Sequence, residues 1–264
     1  MRIETVYKAT SLDDALAIKR SSNKNVILGG ALWLRRSKRT VDTAIDLSDL
    51  ALNFIDVTED KIVIGAYTSL KTIQDHPDLH VLYQGILPEA INHIMGVQLR
   101  HMATLGGSII GRYGFSDIIT PLLCMDVILH FHEGEAITLD DFIKTKGPVD
   151  DILTHVEIMK EKGTGYFKKC APSPLSFSVL NIAITKTNTS YKIAIGSRPS
   201  IAMLAEKTSA YLSDQKKIDE TIIQHAQTHL LKEVMLASNN SASERYRKTL
   251  ASVYLERGLK AVNK

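Results

Sequence analysis

Two glycine pairs are the residues of this sequence whose type and spacing most directly suggest chemistry. Gly29 and Gly30 follow the apolar run NVIL, and Gly106 and Gly107 lie in the stretch ATLGGSII. A glycine pair after a buried strand exposes backbone N–H groups with no Cβ in front of them, and such groups can bind a phosphate or pyrophosphate. One such pair is more often a tight turn. Two pairs in one chain favour two loops that converge on the pyrophosphate of a dinucleotide.

The common nucleotide-binding motifs are absent from both pairs. Neither is a Rossmann fingerprint, because GxGxxG does not occur at either site, and the P-loop pattern GxxxxGK followed by Ser or Thr does not occur in the chain. The dinucleotide hypothesis therefore depends on the presence of two similar glycine loops in one chain.

Cysteine and histidine spacing gives no metal or disulfide site. The two cysteines, Cys124 and Cys170, are far apart and form no CxxC. An iron–sulfur cluster held by these two cysteines alone is excluded, because such clusters take about four protein ligands. The nine histidines show no metal-binding spacing. His225 and His229 can share a helix face, but the glutamate of HExxH is missing. We therefore expect no metal site.

Composition indicates a globular protein of more than one lobe. The chain has 264 residues, of which 44% are hydrophobic and 23% charged, enough to bury a sizeable core. A net charge of +3 gives no support for nucleic-acid binding. The basic cluster at 35–39 is either a solvated loop or a surface for phosphates or a partner. No signal peptide or membrane span is expected, so the default location is cytoplasmic.

The pattern of residues places the first glycine pair after a strand. Ser11 is a good N-cap for a helix, and residues 25–28 form a short apolar run that ends at Gly29. Polar turns between alternating runs predict hairpins at 53–65 and at 127–139.

The second half of the chain changes character near residue 150. Residues 152–158, 165–169, 177–185 and 191–196 predict an antiparallel meander, and the pattern after Pro199 is helical. Residues 243–262 form the strongest predicted helix, with Ser243 as its cap.

Residues 98–126, QLRHMATLGGSIIGRYGFSDIITPLLCMD, resemble a motif of the flavoprotein subunits of molybdenum hydroxylases. This is the family of xanthine dehydrogenase and carbon monoxide dehydrogenase. Pro121 comes one place later than the family's proline, where this chain has Thr120. The positions in register are Gln98, Arg100, Ala103, Thr104, Gly106, Gly107, Ser116, Asp117, Leu122, Leu123 and Asp126.

The resemblance extends over nearly the whole chain. ILGG at 27–30 is similar to the family's first flavin loop, and IGAYTSL at 64–70 matches its Ile-Gly-Ala-x-Thr-x-Leu pattern. Phe167 and Lys168 resemble a lysine-bearing strand, and RYRKTL at 245–250 resembles the closing Tyr-Arg-x-x-Leu helix.

The resemblance implies an α+β fold. It would combine a two-lobed FAD-binding domain of the vanillyl-alcohol-oxidase/PCMH type with a C-terminal domain made of a three-stranded antiparallel sheet and a helical bundle. The implied boundaries are an N-terminal FAD-binding lobe at 1–55, a second FAD-binding lobe at 56–160 and the C-terminal flavoprotein domain at 161–264.

The resemblance also implies which residues contact FAD. Main-chain N–H groups of the two loops would hold the pyrophosphate, and Thr104 and Ser108 would add hydroxyl donors. Asp117 would accept from a ribose hydroxyl, and Lys168 would place a positive charge near the flavin ring. No catalytic side chain is identified, because the cofactor carries the chemistry. The full predicted set is Leu28, Gly29, Gly30, Ala31, Leu32, Thr104, Gly106, Gly107, Ser108, Asp117 and Lys168.

Partner chains would carry molybdopterin and 2Fe–2S clusters in a hetero-oligomer. Electrons would pass through FAD to NAD+ or to another acceptor. Two alternatives remain open: a scaffold subunit that keeps the flavin fold but has lost FAD, and a stand-alone flavin reductase or oxidase. Ala31 and Leu32 favour the scaffold slightly, because the family usually has polar side chains there.

Overall fold

The computed structural model describes residues 2–94 and 96–264. The chain forms two compact units, each assembled from three separate segments. The first unit comprises Met1–Ile73, Gly96–Gly111 and Ile128–Ile158, and the second comprises Gln74–Met95, Arg112–Val127 and Met159–Lys264.

The strands have the following bounds: β1 (Arg2–Lys8), β2 (Val26–Leu28), β3 (Thr40–Asp46), β4 (Ile55–Val57), β5 (Lys61–Gly65), β6 (Val127–Phe131), β7 (Ile137–Thr138), β8 (Leu153–Met159), β9 (Thr164–Cys170), β10 (Leu180–Lys186), β11 (Tyr191–Gly196) and β12 (Met203–Leu204).

The helices have the following bounds: α1 (Leu12–Ser21), α2 (Leu70–Asp75), α3 (Pro77–Val81), α4 (Ile86–Asn92), α5 (Val97–Met102), α6 (Leu105–Ile110), α7 (Ile119–Leu123), α8 (Leu139–Lys144), α9 (Glu206–Ser213), α10 (Glu220–Glu233) and α11 (Glu244–Val262). Short 3₁₀ turns occupy Leu34–Arg36 and Leu82–Gly85.

The first unit holds a parallel sheet in the order β1-β3-β2. Helix α1 connects β1 to β2, and Leu16 of this helix is buried in one hydrophobic cluster with Ile45 of β3. The predicted cap is confirmed, because the Ser11 side chain accepts a hydrogen bond from the backbone N–H of Asp14 at 3.1 Å. Because α1 is a crossover between parallel strands, the carboxyl ends of β1, β3 and β2 lie at the same edge of the sheet. Strand β2 ends at Leu28, immediately before the first glycine pair.

A five-stranded sheet of the first unit has the order β4-β5-β8-β6-β7. Both predicted hairpins are confirmed, since β4 pairs antiparallel with β5 and β6 with β7. The meander prediction for residues 152–158 is wrong, because β8 lies between β5 and β6 in this sheet. Alternating buried residues define a strand's faces but do not encode its neighbours.

The second unit is an antiparallel sheet in the order β12-β11-β10-β9, packed against helices. Its long strands β9, β10 and β11 form the expected three-stranded meander, and the two-residue β12 extends it at one edge. The core joins buried residues of β10 and β11 to residues of the helices, such as Ile182, Leu230 and Leu255. Ser243 caps α11 as predicted, by accepting from the backbone N–H of Tyr246.

Membrane-spanning segments were also sought among residues 2–94 and 96–264. None of the helices there combines the length and the apolar composition needed to cross a bilayer.

Candidate functional site

The two glycine pairs lie against each other in the first unit, although they are far apart in sequence. A Cβ added to Gly107 would lie 2.8 Å from the carbonyl oxygen of Gly29. A Cβ added to Gly29 would lie 3.0 Å from Thr104 Oγ1 and 3.2 Å from the Cα of Gly107. Two backbones can approach this closely only where both positions lack a side chain. The structure therefore makes one site of the two loops.

The first loop has a left-handed backbone directly after β2. Gly30 has φ 77° and Ala31 has φ 54°. A Cβ on Gly30 would lie 1.9 Å from the carbonyl oxygen of Met102, so glycine is required there for space as well as for conformation. Ala31 adopts a positive φ without being glycine, which costs about 1 kcal/mol or more. Such strain is concentrated at ligand-binding loops.

The second glycine pair does not follow a strand, and this corrects the prediction that both pairs occupy the same kind of place. Gly106 and Gly107 lie in the first turn of α6, for which Thr104 is the N-cap. The Thr104 side chain accepts from the backbone N–H of Gly107 at 3.1 Å. The sequence Thr-Leu-Gly-Gly therefore begins a helix, because the threonine satisfies one of its orphan N–H groups.

The polar groups of the second loop are largely used inside the protein. The N–H of Gly106 donates to Ala66 O at 2.8 Å, and the N–H of Ser108 donates to Thr104 O at 3.1 Å. The Ser108 hydroxyl also donates to Thr104 O, at 2.8 Å. The second loop thus supports the first by close packing. Of the two predicted hydroxyl donors, Ser108 already donates to the Thr104 carbonyl, whereas Thr104 Oγ1 accepts from the Gly107 N–H.

Asp46 and Tyr67 stabilise the end of the strand beside the first loop. Asp46 pairs with Leu28 in the parallel ladder. The Tyr67 hydroxyl donates to Asp46 Oδ1 at 3.1 Å. Burial, together with the Asp46 carboxylate, raises the pKa of Tyr67 to about 12. Tyr67 is a neutral donor at physiological pH, and its bond ties the IGAYTSL stretch to the end of β3.

The aromatic and basic residues that follow the first loop interact with one another. The guanidinium carbon of Arg36 lies 5.8 Å from the centre of the Trp33 ring, within the range of a cation–π contact. Arg35 and Arg36 are exposed. Leu32 is half-buried and adds no polar side chain to the loop.

Asp117 lies in the second unit, where it is 7% exposed and at the centre of a buried polar network. Its Oδ2 accepts from Lys169 Nζ at 2.9 Å. Its Oδ1 accepts from Asn181 Nδ2 at 2.6 Å and from the Ser178 hydroxyl. Lys169 also donates to the carbonyl oxygen of His93 at 3.0 Å. The carboxylate thus has protein donors on both oxygens, and its ribose contact remains a prediction.

The two lysines of β9 have different surroundings. Lys168 is exposed, whereas the Lys169 side chain is 6% exposed and pairs with Asp117. Successive residues of a strand point to opposite faces, so this difference could have been read from the strand itself. Sequence reasoning identified Lys168 and missed Lys169, Ser178 and Asn181.

The first loop fits an anionic group that is bound through the main chain. Its left-handed residues, Gly30 and Ala31, follow a strand end. Gly29 packs on Gly107, and Gly30 packs on the carbonyl oxygen of Met102. Anion-binding concavities of this kind are built from backbone N–H groups. Polar side chains at positions 31 and 32 are therefore not a requirement for holding a pyrophosphate.

Comparison with known proteins links both halves of the chain to flavoproteins. Residues 1–160 match a family model described as the FAD binding domain in molybdopterin dehydrogenase. Residues 166–262 match a model described as the CO dehydrogenase flavoprotein C-terminal domain. The glycine loops fall within the first match and Lys168 within the second.

Individual relatives agree with the family models. Uncharacterized protein YgfM of Escherichia coli K12 is 28% identical over 189 residues, which are 70% of this chain and 71% of that protein. The nicotinate dehydrogenase FAD-subunit of Eubacterium barkeri is 26% identical over 153 residues, which are 53% of this chain and 51% of that protein. The fold is similar to that of carbon monoxide dehydrogenase from Hydrogenophaga pseudoflava, with a TM-score of 0.90, 18% identity and coverage of 99% of this chain and 97% of that chain.

Proposed function

The chain belongs to the family of FAD-binding subunits of molybdenum hydroxylases, and from this premise we propose that it passes electrons from 2Fe–2S clusters on a partner chain through FAD to an acceptor such as NAD+. The observation that carries the proposal is the contact between the two glycine loops inside the part of the chain that matches the FAD-binding model.

The main chain of residues 28–32 would hold the pyrophosphate of FAD. Gly29 and Gly107 let the two loops pack at close range, and Gly30 lets the first loop turn against the carbonyl oxygen of Met102. Bound FAD supplies hydride and single-electron transfer, so this chain needs no acid, base or nucleophile of its own. Its residues bind the cofactor and orient it.

Two side chains, those of Lys168 and Asp117, are also proposed to contact FAD. The exposed ammonium of Lys168 would supply positive charge beside the flavin ring. Both carboxylate oxygens of Asp117 already accept hydrogen bonds from the protein. A ribose hydroxyl would therefore donate an additional hydrogen bond to one of them. A carboxylate has about four lone-pair sites, so both kinds of contact are compatible.

The proposed partners are a molybdopterin-binding chain and an iron–sulfur chain, in a hetero-oligomer. The Eubacterium barkeri relative is named as the FAD subunit of a dehydrogenase, which supports a subunit role here. NAD+ as the acceptor and a cytoplasmic location remain predictions.

A scaffold that has lost FAD is the second candidate, favoured by the apolar side chains of Ala31 and Leu32. A visible absorption spectrum of the purified chain separates the two candidates. The proposal expects flavin absorption near ~450 nm after FAD is added and the excess is removed. If the purified chain retains no flavin after this treatment, the result supports the scaffold function instead.

The electron path needs a second measurement. The FAD-loaded chain would be reduced chemically without oxygen, and NAD+ would then be added. Return of the oxidised flavin spectrum together with absorption by NADH supports NAD+ as the acceptor. No change with NAD+, but reoxidation by an artificial dye, assigns a different acceptor. Turnover of a small substrate by this chain alone would instead support a stand-alone flavoenzyme.

A further inference from the structure

Three metal-ligating side chains meet on the five-stranded sheet of the first unit, away from the glycine loops in sequence. His155 and Glu157 lie two residues apart on β8, so they share a face of that strand. His130 lies on β6, the neighbouring strand. One ligand atom from each of the three lies within 4.8 Å of the others. Histidine spacing along the sequence does not indicate this cluster, because strand pairing creates it.

The Glu157 carboxylate divides its two oxygens between neighbours. Oε1 lies 2.6 Å from Nζ of Lys61, on β5. Oε2 lies 3.4 Å from Nε2 of His130. His130 Nε2 is shielded from solvent and makes no well-formed hydrogen bond within residues 2–94 and 96–264. His130 Nε2 and Glu157 Oε2 therefore face each other at ion-pair distance without a well-formed hydrogen bond.

The hydrogen bonds of Thr154 assign the tautomer of His155. The Thr154 hydroxyl donates its only hydrogen to the carbonyl oxygen of His130 at 2.9 Å. Its contact with His155 Nδ1, at 3.0 Å, must therefore be a bond that Nδ1–H donates. In the neutral ring this leaves a lone pair on Nε2. Metal-binding histidines are oriented in the same way, by a hydrogen bond from the nitrogen that does not bind the ion.

The two imidazole rings are arranged side by side. His130 and His155 stack with their centres 4.3 Å apart and an angle of 8° between planes. Stacking on adjacent strands keeps both rings on one face of the sheet and close to Glu157.

We propose that His130, His155 and Glu157 bind one divalent transition-metal ion of the Zn²⁺ type. Two histidines and one glutamate are an established protein ligand set for zinc, with water in the fourth position. Ligand atoms about 2.1 Å from Zn²⁺ lie roughly 3.4 Å apart in a tetrahedral site. The Oε2–Nε2 pair of Glu157 and His130 already has that spacing. The remaining pairs, at most 4.8 Å apart, would close by up to roughly 1.4 Å as the two parallel rings tilt toward one ion.

Lys61 has a defined part in this site. Its ammonium keeps Oε1 of Glu157, which leaves Oε2 for the ion. The bound ion would join β6 to β8, and its effect is independent of the flavin. The competing explanation is that Lys61 alone neutralises Glu157 and the cluster is an ion pair without a metal.

Calorimetric titration of the full-length chain with Zn²⁺, after removal of metals by chelation, tests the proposal. We expect one ion per chain. His130→Gln and His155→Gln should each weaken binding more than about 100-fold, since loss of even an outer hydrogen-bond partner costs about 10- to 100-fold. His225→Gln is the matched control, because His225 and His229 are four residues apart on α10 and can bind zinc at the surface.

Thermal unfolding supplies the second readout. Zn²⁺ should raise the Tm of the parent chain and of His225→Gln, but not of His130→Gln or Glu157→Gln, because an ion that binds only the folded state stabilises it. Circular dichroism without metal establishes that each variant is folded. The proposal is overturned if the chain binds no Zn²⁺, if His225→Gln alone removes binding, or if folded cluster variants bind as the parent does.

Discussion

At the scale of single residues, Asp117 is both a predicted ligand of FAD and the acceptor at the centre of a buried hydrogen-bond network. The Asp117 and Lys169 side chains are each 6% exposed. Two buried opposite charges are costly to desolvate, and the ion pair together with its hydrogen bonds offsets that cost. Ser178, Asn181 and the carbonyl of His93 supply those bonds.

Asp117→Asn should destabilise the protein without FAD by about 3 to 5 kcal/mol, because Lys169 loses its counter-charge while staying buried. Urea unfolding of the FAD-free chain measures this loss. Asp126→Asn is the control, since its ion pair with Lys192 is largely exposed and should contribute about 0 to 1 kcal/mol. Unchanged stability of Asp117→Asn, with weakened FAD binding, would assign Asp117 to the cofactor alone.

At the scale of elements, capping and close backbone contacts stabilise the short helix α6 and the first glycine loop. Helix α6 has only 6 residues, too few to be stable on its own. It is held by the Thr104 cap and by the bonds of its first turn to Thr68 and Ala66. The first loop is held by the end of α5, just before this helix, since Gly30 packs on the carbonyl of Met102.

Gly30→Ala should lower both stability and FAD retention. The new Cβ would meet Met102 O at 1.9 Å and would occupy a backbone at φ 77°. Gly147→Ala is the matched control, because Gly147 has φ 91° with nothing within 4 Å of the new Cβ. Only the backbone cost of about 1 to 2 kcal/mol remains there. Equal losses in the two variants, measured by unfolding and by flavin content, would contradict the role of close packing.

Arg247 explains the Tyr-Arg-x-x-Leu pattern of the last helix. It is 1% exposed and its guanidinium donates to the carbonyl oxygens of Val179, Ala237 and Ala242 and to the side chain of Asn239. Helix α11 is joined in this way to the start of β10 and to the 237–242 loop.

Arg247→Met should destabilise the protein by about 2 to 4 kcal/mol, because the buried carbonyl oxygen of Val179 and three partly buried acceptors lose their donor. An unsatisfied buried acceptor costs about 1 to 3 kcal/mol. Arg245→Met, an exposed position on the same helix, should change stability by less than about 0.5 kcal/mol. Chemical denaturation of both variants measures the difference. A similar small effect in both would show that solvent replaces the Arg247 contacts.

At the scale of the whole molecule, FAD binding should be linked to folding. A ligand that binds only the folded state at about 100 times its Kd adds about 2.7 kcal/mol. For a chain of this size the Tm should rise by about 5 to 10 °C. FMN is the control, because it lacks the pyrophosphate and the adenosine. Equal shifts with FAD and FMN would argue against pyrophosphate binding at the glycine loops.

Local features were predictable where the local chemistry is unambiguous. The Ser11 and Ser243 caps and both hairpins are where the sequence places them. Strand β1 was not predicted, and β8 was placed in the wrong sheet. The error for β8 arises because a strand's sequence defines a pattern of faces, whereas its neighbours depend on contacts with distant residues.

The sequence by itself determined the family, the glycine pairs and the main helices and hairpins, because these depend on residue type and short spacing. Only the tertiary structure decided which distant residues contact them. It packed Gly107 on Gly29, enclosed Asp117 with Lys169, and brought His130 beside His155 and Glu157. The physical reason is that strand order and backbone packing join residues that are distant along the chain, and no local pattern records those contacts.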